Sequence, residues 1–190
     1  MFFIASQLST RQGKVLDGYS LSYIRMLVAR QRGEDEDGAE QFPYEFIGGA
    51  ASAWDQDVSV HAKGDVAAGT YIVMVEAQWK DEDLINDYVF RTYCADPTEI
   101  EEQDAGDYEE FLGQALCDCA HNRCRKQSLA NRGHSGMFIA NDLSASEAGL
   151  GMIYVENNEE DAAIKIRVSL PRHSGLDFKD ELNDGDTVKV

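Results

Sequence analysis

Thr70-Tyr-Ile-Val-Met-Val-Glu-Ala-Gln-Trp79 alternates at period two. Tyr71, Val73, Val75, Ala77 and Trp79 fall on one face, and Thr70, Ile72, Met74, Glu76 and Gln78 form a mixed second face. Alternation of this kind places successive side chains on opposite sides of a pleated strand. The same pattern recurs in 162–170, where Ala162, Ile164, Ile166, Val168 and Leu170 oppose Ala163, Lys165, Arg167 and Ser169. Shorter runs sit near 2–8, 20–29, 57–61, 87–94, 136–140, 150–156 and 186–190, separated by Gly, Asp and Asn clusters. Short alternating strands with turn signals between them predict an antiparallel β-sandwich of about eight to ten strands.

One segment departs from period two. From Asp107 to about Lys126 the apolar residues follow the helical period, with Tyr108, Phe111, Leu112, Ala115, Leu116 and Cys119 inside one arc of about 140°. Asp107 caps the start, Glu110 stands three residues on, and Arg123, Arg125 and Lys126 lie where the helix dipole favours cations. The expected architecture is a single domain over residues 1–190: a mostly β sandwich carrying one amphipathic helix at about 107–126. Its size suits one domain, and 43% hydrophobic residues are enough for a core.

Charge narrows the choice of partner. Seventeen basic residues face 35 acidic ones, a net charge of −18. Such a field repels phosphate backbones and anionic lipid heads, so nucleic-acid binding is not expected and proteins with basic surfaces are the natural partners. No apolar run reaches the roughly 20 residues needed to cross a bilayer. Met1-Phe-Phe-Ile-Ala-Ser6 lacks the basic n-region of a secretory signal. Cys94, Cys117, Cys119 and Cys124 are too few and too clustered for a secreted disulfide scaffold, so the expected compartment is a reducing cytoplasm, with cytoskeletal or organelle surfaces as docking places.

Calcium needs six to eight oxygens from converging loops. The candidates are Glu34, Asp35 and Asp37, then Asp81, Asp83 and Asp87 with Glu82 between, then Asp96 with Glu99; none has EF-hand spacing. Against that stands a plain solvated acidic surface. The run Cys117-x-Cys119-x-His121-x2-Cys124 resembles a metal site, and Cys117, His121 and Cys124 share a helical sector of about 60°. Cys119 points about 160° away, toward the predicted core, so tetrahedral zinc needs a fourth ligand from elsewhere. Nucleophilic catalysis finds no support: His61, His121, His134 and His173 are scattered, and no Gly-x-Ser-x-Gly elbow occurs. Arg132-Gly-His134-Ser-Gly136 reads as a surface turn. Gly48-Gly49-Ala-Ala-Ser52 lacks the Lys-Ser/Thr of a phosphate-binding loop.

The order of the segments carries a resemblance. Ser6-Gln7-Leu-Ser-Thr-Arg11, Tyr19-Ser-Leu-Ser-Tyr23-Ile-Arg25, Asp65-Val-Ala-Ala-Gly69-Thr-Tyr71-Ile-Val73 with Trp79, Phe90-Arg-Thr-Tyr93, Phe111-Leu-Gly-Gln-Ala-Leu116 and Gly151-Met-Ile-Tyr154 onward follow one another along the chain. This succession resembles the non-catalytic β-sandwich of calpain-like proteins, calpain domain III, as found in divergent calpains of single-celled eukaryotes. The resemblance implies a module that adjoins a cysteine-protease core and answers to calcium and phospholipid through an acidic loop. This chain has no room for that core and displays no Cys/His/Asn protease set, so no enzyme is expected. The Met1 start favours a module encoded alone.

Two functions follow as expectations. The first is a structural or protein-interaction module within a larger assembly, docking through Glu34, Asp35, Glu36 and Asp37 and through the helix face of Cys117, His121 and Cys124. The second is a calcium-responsive regulatory module that meets membranes only when Ca2+ neutralises its acidic loops.

Overall fold

The computed structural model describes residues 1–9, 19–37, 39, 41–64, 66–79, 87–103, 106, 108–130, 136–142 and 152–158. Within them run nine strands and one helix: β1 (Phe2–Gln7), β2 (Tyr23–Gln31), β3 (Tyr44–Ser52), β4 (Asp57–His61), β5 (Tyr71–Gln78), β6 (Tyr88–Tyr93), α1 (Tyr108–Asn122), β7 (Gln127–Ser128), β8 (Met137–Asp142) and β9 (Met152–Asn157). The fold is mostly β with one helix, as the alternation and the helical arc predict. The runs expected at 162–170 and 186–190, the cap at Asp107, and Asp81, Glu82, Asp83, Arg132 and His134 lie outside the described residues.

Residue contacts divide the chain into two compact units, Met1–Lys126 with Ala140–Tyr154, and Gln127–Ile139 with Val155–Val190. In the first unit β1 pairs antiparallel with β4 on one side and β6 on the other, and β2 lies between β3 and β5 in the same manner. A third sheet has the order β7-β8-β9, with Gln127 opposite Ile139 and Ser128 opposite Phe138.

Two cores explain how the first unit is layered. Phe3 and Ala5 of β1, Val58 and Val60 of β4, and Ile24, Met26 and Val28 of β2 form one buried cluster between the two sheets. Leu27 and Ala29 of β2 point the other way and join Phe46 with Phe111, Ala115 and Cys119 of α1 in a second. The sandwich therefore has a third layer, with the helix covering the outer face of the β2 sheet. That covering accounts for the mixed face of β5. Ile72 and Met74 pack into the helix-side cluster, whereas Glu76 stands opposite Arg25 and forms an ion pair with it. A directly opposed pair of unlike charges is the favourable cross-strand arrangement.

β3 was not expected from the sequence, because its Gly48-Gly49 pair weakens any strand reading. Its register against β2 slips between Val28 and Ala29, whose partners are Gly48 and Phe46, which leaves Ile47 as the extra residue of a bulge. Phe46 thus faces the helix while Ile47 packs on the inter-sheet core. A Cβ built on Gly48 would come within 2.9 Å of Val60 Cγ1. The glycine is a packing device, letting the two sheets approach where β4 crosses β3.

Candidate functional site

Strand register sorts the connecting segments into two ends. Arg30 of β2 pairs with both Glu45 and Tyr71, and Phe2 of β1 pairs with both His61 and Tyr93. These two rows meet in one pocket, lined by Arg30, Glu45 and Tyr71 from one sheet and His61 from the other. The described parts of the segments 32–43, 62–70 and 94–103 all leave from this end. The opposite end is closed by Gln7, whose Nε2 donates to Ser22 O at 2.9 Å and to Asp55 O at 3.3 Å, while its Oε1 accepts from Ser22 N at 2.9 Å.

This sorting separates the candidate calcium ligands. Glu34, Asp35 and Asp37 sit at the pocket end, as does the 94–103 stretch with Asp96 and Glu99. Asp87 immediately precedes β6 at the Gln7 end. A nine-residue strand at about 3.3 Å per residue puts about 25–30 Å between these ends. The Glu34 group and Asp87 cannot share one ion. Among the described residues, no three His, Cys, Asp or Glu side chains gather as a metal-holding group.

At the pocket end, Arg30 organises the acidic turn. Its Nε donates to Glu45 Oε2 at 2.9 Å, and its Nη1 and Nη2 donate to the two carboxylate oxygens of Glu36 at 2.9 and 2.6 Å. The Arg30 guanidinium, assisted by the Gly33 backbone, holds the Glu36 carboxyl down to about 2. Glu36 N donates to Gly33 O and Ala39 N to Glu36 O, both at 3.0 Å, so the turn is knitted locally as well. Glu34, Asp35 and Asp37 are exposed and make no ion pair among the described residues. One of the four acids therefore anchors the turn and three face solvent.

The anchoring is testable by titration. A carboxyl whose folded pKa is depressed stabilises the fold above its unfolded value and loses that contribution as pH falls toward the folded one. The window here runs from 4.5 down to about 2. Carbon-detected NMR should give Glu36 a midpoint near 2 in the native chain and a midpoint raised toward 4.5 in Arg30→Gln, where the Gly33 backbone contact remains. An ordinary midpoint in the native chain would show that the pair does not form.

The pocket itself has a volume of about 420 Å³. Besides Arg30, Glu45, His61 and Tyr71, Lys63 and Arg123 line it. Tyr71 donates its hydroxyl to Ala67 O at 2.7 Å, and burial raises its pKa above the ordinary value. Gly64, with φ at +83°, gives the 62–70 segment a backbone bend that side chains resist. Arg123 follows the end of α1, where its Nη1 donates to Ile47 O at 2.9 Å and its guanidinium lies 5.2 Å from the centre of the Phe46 ring.

The helix cysteines divide. Cys119 is buried in the helix-side core, and burial pushes its thiol up to about 12. Cys117 is exposed on the same helix. The helix ends at Asn122, and Cys124 N turns back to donate to Cys119 O at 3.2 Å. This six-to-one bond is the Schellman type of helix end, which brings the residue after the turn against the last helical turn. Cys124 accordingly packs on the helix-side core that contains Cys119, and has left the helical sector it shared with Cys117 and His121 in the sequence reading. His121 has other neighbours: the Phe42 ring at 5.0 Å, the Tyr154 hydroxyl at 3.4 Å and Lys126 Nζ at 3.2 Å from Nδ1.

Sequence reasoning missed Arg30, Glu45, Lys63, Tyr71 and Arg123 as neighbours, since they come from four separate stretches of chain. It also missed Asp118, which is 1% exposed under the helix. One signal was present for Asp118, which lies only about 20° outside the apolar arc of α1. Comparison with known proteins returns no matching family model, no matching curated protein and no matching solved structure.

Proposed function

We propose that the chain is a non-catalytic β-sandwich interaction module that docks a basic protein surface at its pocket end. The observation that carries this reading is the gathering of two acidic connections at one end. Glu34, Asp35 and Asp37 stand exposed there, and Asp96, Glu99, Glu101 and Glu102 follow β6 from the same end, also exposed. A clustered excess of acidic charge steers a complementary partner and fixes its orientation. The segments that resemble calpain domain III agree with a module that docks and does not catalyse.

The test compares two ends of equal charge. One variant carries Glu34→Gln, Asp35→Asn and Asp37→Asn; the control carries Asp55→Asn, Asp57→Asn and Asp87→Asn at the Gln7 end. Binding of a lysine-arginine peptide is measured across a salt series. Three exposed charges should weaken binding about tenfold in the first variant and flatten its salt dependence. The control should stay within about twofold of the native chain. Equal losses at both ends would reduce the interaction to the diffuse field of a −18 chain and sink the reading.

A further inference from the structure

We propose that the pocket binds a small organic anion, one carboxylate or phosphate group on an apolar body. The inference is independent of the protein-docking function and starts from a local charge anomaly. Acidic residues outnumber basic ones 35 to 17. Yet Lys63 and Arg123, both lining the pocket, form no ion pair with any described carboxylate. Arg30 and Glu45, the other charged residues of the lining, neutralise each other at 2.9 Å, and Glu36 completes the Arg30 partners from outside. Lys63 and Arg123 thus have no carboxylate partner among the described residues, and the lining together with Glu36 holds three cations against two carboxylates.

The arrangement of Arg123 makes this more than an excess of charge. Its bond to Ile47 O and its position over the Phe46 ring hold the guanidinium before any ligand arrives. A guanidinium has five N–H donors, so a carbonyl bond leaves others for an oxyanion. Holding the donor in advance removes part of the ordering cost of binding. Lys63 adds a mobile point charge from the 62–70 segment. Ile47 and Val66 supply an apolar wall, and Tyr71 an aromatic one. A volume of about 420 Å³ lies in the lower part of the range of small-molecule sites.

The same geometry sets the ligand's class. Polyanions meet the repulsion of the whole chain at long range, so a nucleic acid is excluded where a single anionic group is admitted. The apolar wall asks for a body attached to that group. Sodium benzoate and phenyl phosphate are suitable probes, with benzylamine as the cationic counterpart of similar shape.

Amide NMR titration of the full chain at constant ionic strength decides the matter. Saturable shifts at Ile47, Lys63, Val66 and Tyr71 are expected with one or both anions, and none with benzylamine. Response to benzoate alone identifies a carboxylate site, and response to phenyl phosphate alone a phosphate site. Lys63→Ala removes a side chain without an ion-pair partner among the described residues and should weaken binding about tenfold, the usual loss of one charged contact. Arg123→Ala should do at least as much, with Lys63→Ala as the variant that leaves the Ile47 and Phe46 contacts intact. Arg91→Ala, which removes an exposed cation of β6, should change nothing. Absence of saturable shifts with both anions, an equal response to benzylamine, or equal losses in Lys63→Ala and Arg91→Ala would overturn the proposal.

Discussion

Asp118→Ala should destabilise the fold by about 3–5 kcal/mol, the cost of removing one member of a buried ion pair. Asp118 is 1% exposed and every contact of its carboxylate is internal. Oδ1 accepts from Arg32 Nη2 at 2.8 Å and from Asn122 Nδ2 at 2.8 Å, and Oδ2 accepts from Phe46 N at 2.9 Å. Truncation leaves the Arg32 guanidinium with only the Phe42 and Tyr44 carbonyls for partners. It also orphans the Phe46 N–H beside the bulge, and a buried donor without an acceptor is costly in its own right. Urea unfolding measures the loss. Adding Arg32→Met to Asp118→Ala should recover part of it, because the second change removes the stranded charge. A loss below about 1 kcal/mol in the single variant would mean that Asp118 does not tie α1 to the β2 sheet.

Met26→Ala and Leu27→Ala should each cost about 2–5 kcal/mol, although the two residues are adjacent and point in opposite directions. Both are 0% exposed. Met26 packs between the sheets and Leu27 packs under α1. In a two-layer sandwich with one wet face, one of the two would be nearly silent, since exposed substitutions usually fall within about 0.5 kcal/mol. Hydrogen exchange adds a second readout. Leu27→Ala should speed exchange of the 111–119 amides more than Met26→Ala does, because its cavity lies directly beneath the helix. Near-neutrality at Leu27 would dismantle the three-layer arrangement.

These two predictions also show where sequence reading stops. β4 and β6 were visible as runs at 57–61 and 87–94 because an exposed face alternates with a buried one in β4 and with the half-buried Phe90 and Thr92 in β6. β2 reads differently: Met26-Leu-Val-Ala29 is apolar without a break, since one face meets a sheet and the other a helix. The apolar arc of α1 was legible, and Phe111, Ala115 and Cys119 on it are buried. Gly48 was not. Two glycines before Ala50, Ala51 and Ser52 give no periodic signal, and the reason for Gly48 lies in Val60, twelve residues away on another sheet.

The candidate site was legible only in part, for a related reason. The acid-rich turn at 34–37 announces itself by composition. That Glu36 is tied down while its neighbours face solvent depends on Arg30, and that dependence appears only once β2 and β3 are paired. Lys63 and Arg123 carry no local sign of belonging together, and neither do Asp118 and Arg32, 86 residues apart.

Composition and periodicity were sufficient for the mostly β class, the helix, the acid excess and the places of most strands, because each is set by neighbours within a few residues. Among the described residues, which acids share an end, which cations go without carboxylates and which aspartate is buried were settled by register and layer packing. Those are matters of long-range pairing, and no pattern confined to one segment encodes its partner.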